Sequence, residues 1–167
     1  IATTGAIDIS DDGDNLSVGV VTTDAASAVT LTATGAITDL NGAATNNVTG
    51  ASLVATTGAG VNLDTIITAG GTLTATVSGD GDVDVRNASG AGLLTVIAAT
   101  VAGSGDVTVT NNSAMAVTLG TAANGDVTFT TTALGLTVTT ATSGNGDVNL
   151  TAATDLGTTT VSSVNGN

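Results

Sequence analysis

The sequence predicts an all-β fold, a parallel β-helix (β-solenoid) of about seven and a half coils with a period near 21 residues. A Gly-Asp turn followed by an alternating apolar strand recurs along the chain, and the aspartates of successive copies are 24, 20 and 21 residues apart. The hydrophobic 41% of the chain is almost entirely aliphatic, with one Phe, no Trp, no Tyr and no Pro. This composition suits a narrow core of stacked aliphatic ladders, whereas a globular core ordinarily uses aromatic anchors. The four copies of the turn begin at Gly81, Gly105, Gly125 and Gly146.

Inward-facing strands are recognised by apolar residues at alternate positions, the period of a strand with one buried face. Two families of such strands alternate along the chain and predict two inward-facing strands per coil, while handedness and a third strand per coil stay open. The first family follows the Gly-Asp turn and consists of Leu16/Val18, Ile37, Val61/Leu63, Val83/Val85, Val107/Val109, Val127/Phe129 and Val148/Leu150. The second family lies between them and consists of Ile7/Ile9, Val29/Leu31, Leu53, Leu73/Val77, Leu94/Val96, Val117/Leu119, Leu136/Val138 and Val161.

Two details of the coils carry expectations of their own. Asp39 occupies a position at which the first family needs a second inward apolar residue, so we expect a small bulge or a shifted register there. Asn-Gly pairs at Asn124, Asn145 and Asn165 favour tight turns at one corner. Stacked at that corner, these asparagines can form an amide ladder along the axis.

The charge balance excludes several classes of partner. The net charge is −13, from 14 acids and the single base Arg86. Such a surface repels nucleic acid and anionic membrane surfaces and attracts divalent cations. The longest apolar run, at about residues 91–102, is too short to span a bilayer. The low charged fraction of 9%, in a coat of Thr, Ser, Asn and Gly, is typical of secreted and cell-surface repeat proteins, so we expect an extracellular location.

We expect residues 1–167 to form one solenoid segment, either an excerpt of a longer repeat protein or a stacking fibre subunit. The chain opens at Ile1 without a basic leader, and neither end shows a helical or charged cap. Solenoids normally cover their open end rungs, because uncovered rungs are edges that pair with other chains.

Aspartates form a predicted column, which is a candidate calcium site. Asp82, Asp106, Asp126 and Asp147, with Asp14 as a possible earlier member, fall about 4.8 Å apart if the rungs are in register. Like charges at that spacing are costly unless they are screened, hydrogen-bonded or bridged by a cation, and Ca²⁺ prefers such oxygen ligands. The alternative is that each carboxylate accepts hydrogen bonds from turn amides. Both interpretations stay open.

Two denser acidic clusters extend the calcium hypothesis. One contains Asp80, Asp82 and Asp84, and the carboxylates of Asp82 and Asp84 are expected to point outward on one strand face. Arg86, the next outward residue, is an alternative partner for Asp84. The other cluster contains Asp11, Asp12 and Asp14.

Outward threonines are the second recurrent feature of the surface. A flat array of Thr-x-Thr on successive rungs is the kind of surface that orders water at ice, although Thr is also simply well suited to an outward strand position. Asp84, Arg86 and Asn149 are expected to interrupt this array. The predicted outward pairs are Thr108/Thr110, Thr128/Thr130, Thr137/Thr139 and Thr158/Thr160.

Catalysis is not expected. The chain contains no His, Lys, Cys or Tyr, so only a pair of carboxylates is left to act as acid and base. We therefore predict that the protein is not an enzyme.

Some rungs resemble those of a known family. Gly125-Asp126-Val127-Thr128-Phe129-Thr130 followed by Leu136-Thr137-Val138-Thr139, in a Thr-, Ala-, Gly- and Asn-rich chain without cysteine, resembles the right-handed parallel β-helix of filamentous haemagglutinin-like and autotransporter-type bacterial adhesins. The resemblance implies a cell-surface or secreted fibre that serves adhesion, self-association or surface coating. We therefore expect a structural, non-catalytic segment of an extracellular fibre, adhesin or surface layer. Its expected partners are further coils or copies of itself, and a host or neighbouring cell surface or its glycans. The alternative is an ice- or glycan-binding solenoid that uses its outward threonines.

Overall fold

The computed structural model describes residues 4–42, 45–88 and 92–166. Within these residues the chain winds into a parallel β-solenoid of about seven turns, and fifteen strands join in one sheet. The predicted all-β solenoid with a period near 21 residues is confirmed. The strands are β1 (Ile7–Asp11), β2 (Leu16–Val18), β3 (Val21–Thr22), β4 (Ala28–Ala33), β5 (Ile37–Asp39), β6 (Val48–Thr57), β7 (Val61–Val77), β8 (Val83–Asn87), β9 (Leu94–Val101), β10 (Val107–Asn111), β11 (Met115–Ala122), β12 (Val127–Thr131), β13 (Leu136–Ser143), β14 (Val148–Thr151) and β15 (Leu156–Ser163).

The first strand family forms what we call the Gly-Asp stack, made of β2, β5, the start of β7, β8, β10, β12 and β14. Its strands pair in parallel without a register shift, so that equivalent apolar residues lie directly above one another and fill the core as a ladder. The buried members confirm the first family. In order along the axis, the first inward residues are Leu16, Ile37, Val61, Val83, Val107, Val127 and Val148.

The second family forms the long stack, made of β1, β4, the ends of β6 and β7, β9, β11, β13 and β15. From β9 onward each of its strands bends where two successive residues face outward, as at Ile97 and Ala98. The bend moves the inward position from Val96 to Ala99 and divides the strand between two sides of the coil. In the early coils β3, the start of β6 and the middle of β7 form a short additional stack.

The bend overturns two expectations about individual residues. Leu119 does not join the buried ladder, because it lies on the outer side of the bend and is only half-buried. Gly120 faces inward instead, close to the ring of Phe129, where a Cβ atom would collide. Thr158, predicted to face outward, lies in register with Val138 and thus occupies an inward position. Val161 is inward as predicted, in register with Ala141.

At Asp39 the two sides of β5 differ. Asp39 pairs with Val18 of β2 in unbroken register, whereas β5 pairs with β7 only at Ile37 and Val61, so the ladder on that side stops before Asp39. The register shifts between paired strands lie between Gly50 and Ser52 and between Leu73 and Thr74. The Asp39 carboxylate is accommodated by hydrogen bonds. Its Oδ1 accepts from the amides of Asn41 and Gly42 at 2.7 and 2.9 Å and from Nδ2 of the buried Asn47 at 2.8 Å.

Polar residues also enter the core, where the strands of the Gly-Asp stack end. Asn87 donates to Oδ1 of Asn111 over 2.8 Å and accepts from the amide of Ile67 over 2.8 Å, and Asn111 donates to the carbonyl of Ala114. Among the described residues, every buried side-chain nitrogen and oxygen has a hydrogen-bond partner. The amides therefore stack inside the coil without leaving an unpaired polar atom.

The described residues contain no helix, and hence none of the length and apolarity that a membrane-spanning helix requires.

Candidate functional site

The predicted aspartate column is present and is held by the backbone of the solenoid itself. Each of its members, Asp82, Asp106, Asp126 and Asp147, directly precedes a strand of the Gly-Asp stack. Oδ1 of one aspartate accepts the backbone N–H of the next, over 2.9 Å from Asp106 to Asp82, 2.8 Å from Asp126 to Asp106 and 2.8 Å from Asp147 to Asp126. The column is thus a ladder of charge-assisted hydrogen bonds parallel to the axis.

The glycine of each Gly-Asp turn is explained by the close approach of the turn before it. A Cβ atom on Gly125 would collide with the carbonyl oxygen of Gly105 and would lie 2.6 Å from Oδ1 of Asp106, and one on Gly81 would collide with the carbonyl oxygen of Ala59. Glycine is therefore the residue that lets each turn rest directly on the backbone of the turn before it.

Asp14 is not a member of the column, and the residue in the equivalent position is Asn15. Because Leu16 pairs with Ile37, the residues that precede the two strands are Asn15 and Ala36. Oδ1 of Asn15 accepts the N–H of Ala36 over 2.7 Å, the same contact that the aspartates make. The extra residue in this turn displaces Asp14, whose amide points to Oδ1 of Asp11 at 3.3 Å.

Three further aspartates of the predicted acidic clusters also accept hydrogen bonds. Oδ1 of Asp80 accepts the amide of Ser104 in the next coil over 2.7 Å, Oδ1 of Asp11 accepts the amide of Gly13 over 2.9 Å, and Oδ1 of Asp12 accepts from Ser10 Oγ over 3.3 Å. Within the described part of the chain, no three carboxylates gather at one point. Calcium binding by the column and the two clusters stays a prediction, in which an ion would take carboxylates from neighbouring rungs and complete its shell with carbonyl oxygens or water.

Arg86 forms an ion pair with Asp64 and not with Asp84. Its Nε lies 2.8 Å from Asp64 Oδ1 and its Nη2 lies 3.3 Å from Oδ2. The register explains the choice, since Asp64 lies directly beneath Arg86 in the preceding coil. Asp84 is half-buried, and this burial raises the pKa of its carboxyl despite the nearby guanidinium.

The corner asparagines form the predicted amide ladder. Nδ2 of Asn145 donates to Oδ1 of Asn124 over 2.5 Å, and Nδ2 of Asn165 donates to Oδ1 of Asn145 over 2.6 Å. The late coils thus carry two adjacent axial ladders, one of amides and one of carboxylates, beside their shared turn.

The threonine surfaces differ from the prediction. Thr108 and Thr110 stack on Thr128 and Thr130, and this array ends as expected at Asp84 and Arg86 on one side. On the other side the row of Thr128 ends at Asn149, whereas the row of Thr130 continues to Thr151. A longer array, on the long stack, escaped the sequence reasoning because it lies beyond the bend, where the alternating pattern restarts. One threonine follows another there in register on six successive rungs, without an interruption: Thr32, Thr56, Thr76, Thr100, Thr121 and Thr142.

The coil at the C-terminal side leaves its inner surface uncovered by the described residues. Leu156 and Val161 of β15 lie in register over the buried Leu136 and Ala141, yet they are 49% and 43% exposed. β15 also has only β13 as a paired neighbour among the described strands. Its outer edge therefore combines unpaired backbone groups with apolar side chains.

Comparison of this chain with known proteins found no family model, no curated protein and no solved structure that it matches.

Proposed function

We propose that the chain is a structural, non-catalytic segment of an extracellular fibre, adhesin or surface layer, and that its solenoid runs on along the axis into further coils. The observation that carries the proposal is the uncovered rung formed by β15. Its apolar residues already stand in the inward positions that a following coil would bury. We propose that this edge is covered by further coils, supplied by a longer chain or by another copy of the same solenoid.

The mechanism of such a segment is mechanical. Strand pairing runs from coil to coil, so the backbone hydrogen bonds lie parallel to the axis. The aspartate column and the asparagine corner add side-chain bonds in the same direction. An axial pull is therefore shared among several parallel rows of bonds in each coil.

The surface composition supports an extracellular role. Charged residues make up 9% of the chain and are almost all acidic, and Thr, Ser and Asn are abundant among the other residues. A hydrated, negatively charged coat of this kind resists association with nucleic acid and acidic membranes. Partners of a fibre of this type include its own coils and copies, and a host or neighbouring cell surface or its glycans.

Electron microscopy of the native material tests the proposal. We expect filaments much longer than the roughly 35 Å of a solenoid with this number of coils. Val161→Lys in the isolated chain places a charge at the uncovered rung and should abolish stacking of copies, whereas Leu134→Lys, an equally exposed position between β12 and β13, should leave it unchanged. Discrete particles of single-solenoid length in the native material would refute the fibre. Loss of the filaments in chelator would assign the acidic corners to calcium.

A second candidate function, an ice- or glycan-binding solenoid, is supported by the uninterrupted threonine array on the long stack. Its hydroxyls repeat at the rung spacing of about 4.8 Å, which is the regular arrangement that such a surface needs. Thermal hysteresis of a freezing solution measures the activity. Thr100→Tyr in the middle of the array should abolish it, and Thr108→Tyr on the Gly-Asp stack should not; absence of hysteresis in the unmodified protein would eliminate ice binding.

A further inference from the structure

The aspartate column contains a gap. Between Asn15 and Asp82 the equivalent positions are held by Ala36 and Gly60, which have no polar side chain to place on the ladder. At this gap the surface opens into a hollow of about 210 Å³. We call it the ladder-gap hollow, and its polar lining consists of Thr38, Gly60, Asn62, Asp82 and Asp84.

The gap leaves two backbone donors without their usual acceptor. In the other coils the N–H of the column residue donates to the side chain of the residue one rung earlier, as Asp106 does to Asp82. For Gly60 and Asp82 the residues one rung earlier are Ala36 and Gly60, and neither N–H meets an acceptor among the described residues. Two N–H groups, one rung or about 4.8 Å apart, are therefore available at the hollow.

In the part of the chain that the structure describes, Asp84 is an acceptor that lacks a donor, whereas the two N–H groups are donors that lack an acceptor. Its carboxylate lies at the wall of the hollow, one rung from Asn62, and accepts no hydrogen bond from the described residues. Its partial burial removes part of its hydration, so a donor from a ligand would replace lost contacts with water. The hydroxyl of Thr38 and the amide of Asn62 add groups that both donate and accept.

The charges decide which ligand fits this set of groups. An anion would satisfy the two N–H groups but would face Asp82 and Asp84 on a chain of net charge −13. A cation would satisfy Asp84 but leave the N–H groups unpaired. A neutral hydroxyl both accepts and donates, so a neutral polyol satisfies both kinds of group at once.

We propose that the ladder-gap hollow binds one neutral sugar residue. Hydroxyl oxygens on alternate carbons of a pyranose ring match the spacing of the two N–H donors, and a further hydroxyl donates to the Asp84 carboxylate. The volume accommodates a single ring. No aromatic side chain lines the described hollow, so the sugar gains no stacking energy and binding is weak.

Titration of the ¹⁵N-labelled protein with D-glucose, D-galactose and D-mannose, followed by amide NMR, tests the proposal. At least one sugar should shift the Gly60 and Asp82 amide signals saturably, with a Kd of about 1–10 mM. Ala36→Asn should weaken this binding at least about tenfold, because the new amide fills the hollow and supplies the missing acceptor. Ala116→Asn is the matched control: it is an outward alanine of β11 paired with Thr95 and Thr137, remote from the hollow, and it should leave the Kd unchanged. Asp84→Asn should raise the Kd several-fold.

Four outcomes would overturn the proposal. The first is that none of the sugars gives a saturable shift at these two amides. The second is that calcium chloride, but no sugar, shifts them in a manner that Asp84→Asn removes, which would make the hollow a cation site. The third is that sodium acetate alone shifts them, which would make it an anion site. Persistence of sugar binding in Ala36→Asn would likewise place the sugar elsewhere.

Discussion

The aspartate column can be tested by replacing Asp126, whose carboxylate lies between those of Asp106 and Asp147. Asp126→Ala removes the acceptor for the N–H of Asp147, and a hydrogen bond to a charged group contributes about 1.5–3 kcal/mol to the free energy of unfolding. The same change removes repulsion from two neighbouring carboxylates. At about 4.8 Å in water each repulsion is about 0.9 kcal/mol, which screening at physiological salt reduces to roughly half. The net loss in Asp126→Ala is therefore about 1–2 kcal/mol.

Asp126→Asn separates the two contributions. The amide oxygen still accepts the Asp147 N–H, though as a weaker neutral acceptor, while the repulsion disappears as in Asp126→Ala. The loss of roughly 1 kcal/mol in hydrogen bonding and the relief of roughly 1 kcal/mol in repulsion nearly cancel. Asn15, which makes the equivalent contact to Ala36 at 2.7 Å, is the natural precedent for this substitution.

Urea unfolding followed by circular dichroism measures both variants at physiological and at low ionic strength. Asp126→Ala should unfold about 1–2 kcal/mol more easily than the unmodified protein, and Asp126→Asn should lie within about 0.5 kcal/mol of it. Low salt should narrow the deficit of Asp126→Ala, because the relieved repulsion is then larger. The reasoning is refuted if the alanine variant is as stable as the unmodified protein, or if the asparagine variant is as unstable as the alanine variant.

Three further predictions follow from the core and from two aspartates with side-chain partners, Asp64 and Asp39. Val127→Asp places an unpaired charge at a fully buried position and should cost more than about 4 kcal/mol or fray several rungs; an unchanged thermal melt would contradict the core assignment. Arg86→Gln leaves Asp64, whose side chain is 9% exposed, without its ion pair and should lower the free energy of unfolding in urea by about 1–3 kcal/mol. The double variant Arg86→Gln/Asp64→Asn should recover most of the lost stability. If it does not, the loss of the ion pair is not the reason for the destabilisation. The hydrogen bond from Asn47 and those from neighbouring amides lower the pKa of Asp39 in the folded protein. The ionised carboxylate therefore stabilises the fold above its unfolded-state pKa, and this stabilisation is lost as the pH falls through its folded-state pKa. From about pH 5 to about pH 2 the unmodified protein should therefore lose more stability than Asp39→Asn, and parallel pH profiles would count against this role.

The Gly-Asp stack was predictable because its turn and strand signals coincide. Gly125 and Asp126 indicate the turn, and the apolar residues Val127 and Phe129 show the strand period of two directly after it. Because this combination returns once per coil, the stacking of one coil on the next follows from its spacing. The asparagine ladder was predictable for the same reason. Each of these features repeats in the sequence with the period of the coil.

The errors lie where the period of two is interrupted without a sequence signal. An unbroken alternation predicts that Leu119 points inward and Thr158 outward, but the bend of the long stack places two successive residues outward and reverses the pattern after it. No Gly or Pro marks that bend in β13. A single extra turn residue puts Asn15 in the place of Asp14 in the column, and its effect on the register depends on how the next coil pairs.

Other features could not be read from the sequence because they join residues of different coils. The ion pair of Arg86 with Asp64 depends on which residue lies one rung below, and the intervals between rungs vary. The ladder-gap hollow is recognisable only when Ala36 and Gly60 are known to occupy positions of the column. An alanine or a glycine does not stand out in a sequence. It leaves a hollow only because the residues in the same position of other coils have longer side chains.

The aspartate ladder also gives the molecule a direction. The carboxylates of Asp82, Asp106 and Asp126 each accept the N–H of the aspartate in the following coil, and all strands run parallel. A rung therefore presents different groups on its two faces, so two solenoids can join through these faces head to tail but not head to head. A filament assembled in this way is polar: its two ends are chemically distinct, and a probe that recognises the face exposed at β15 would label one end only.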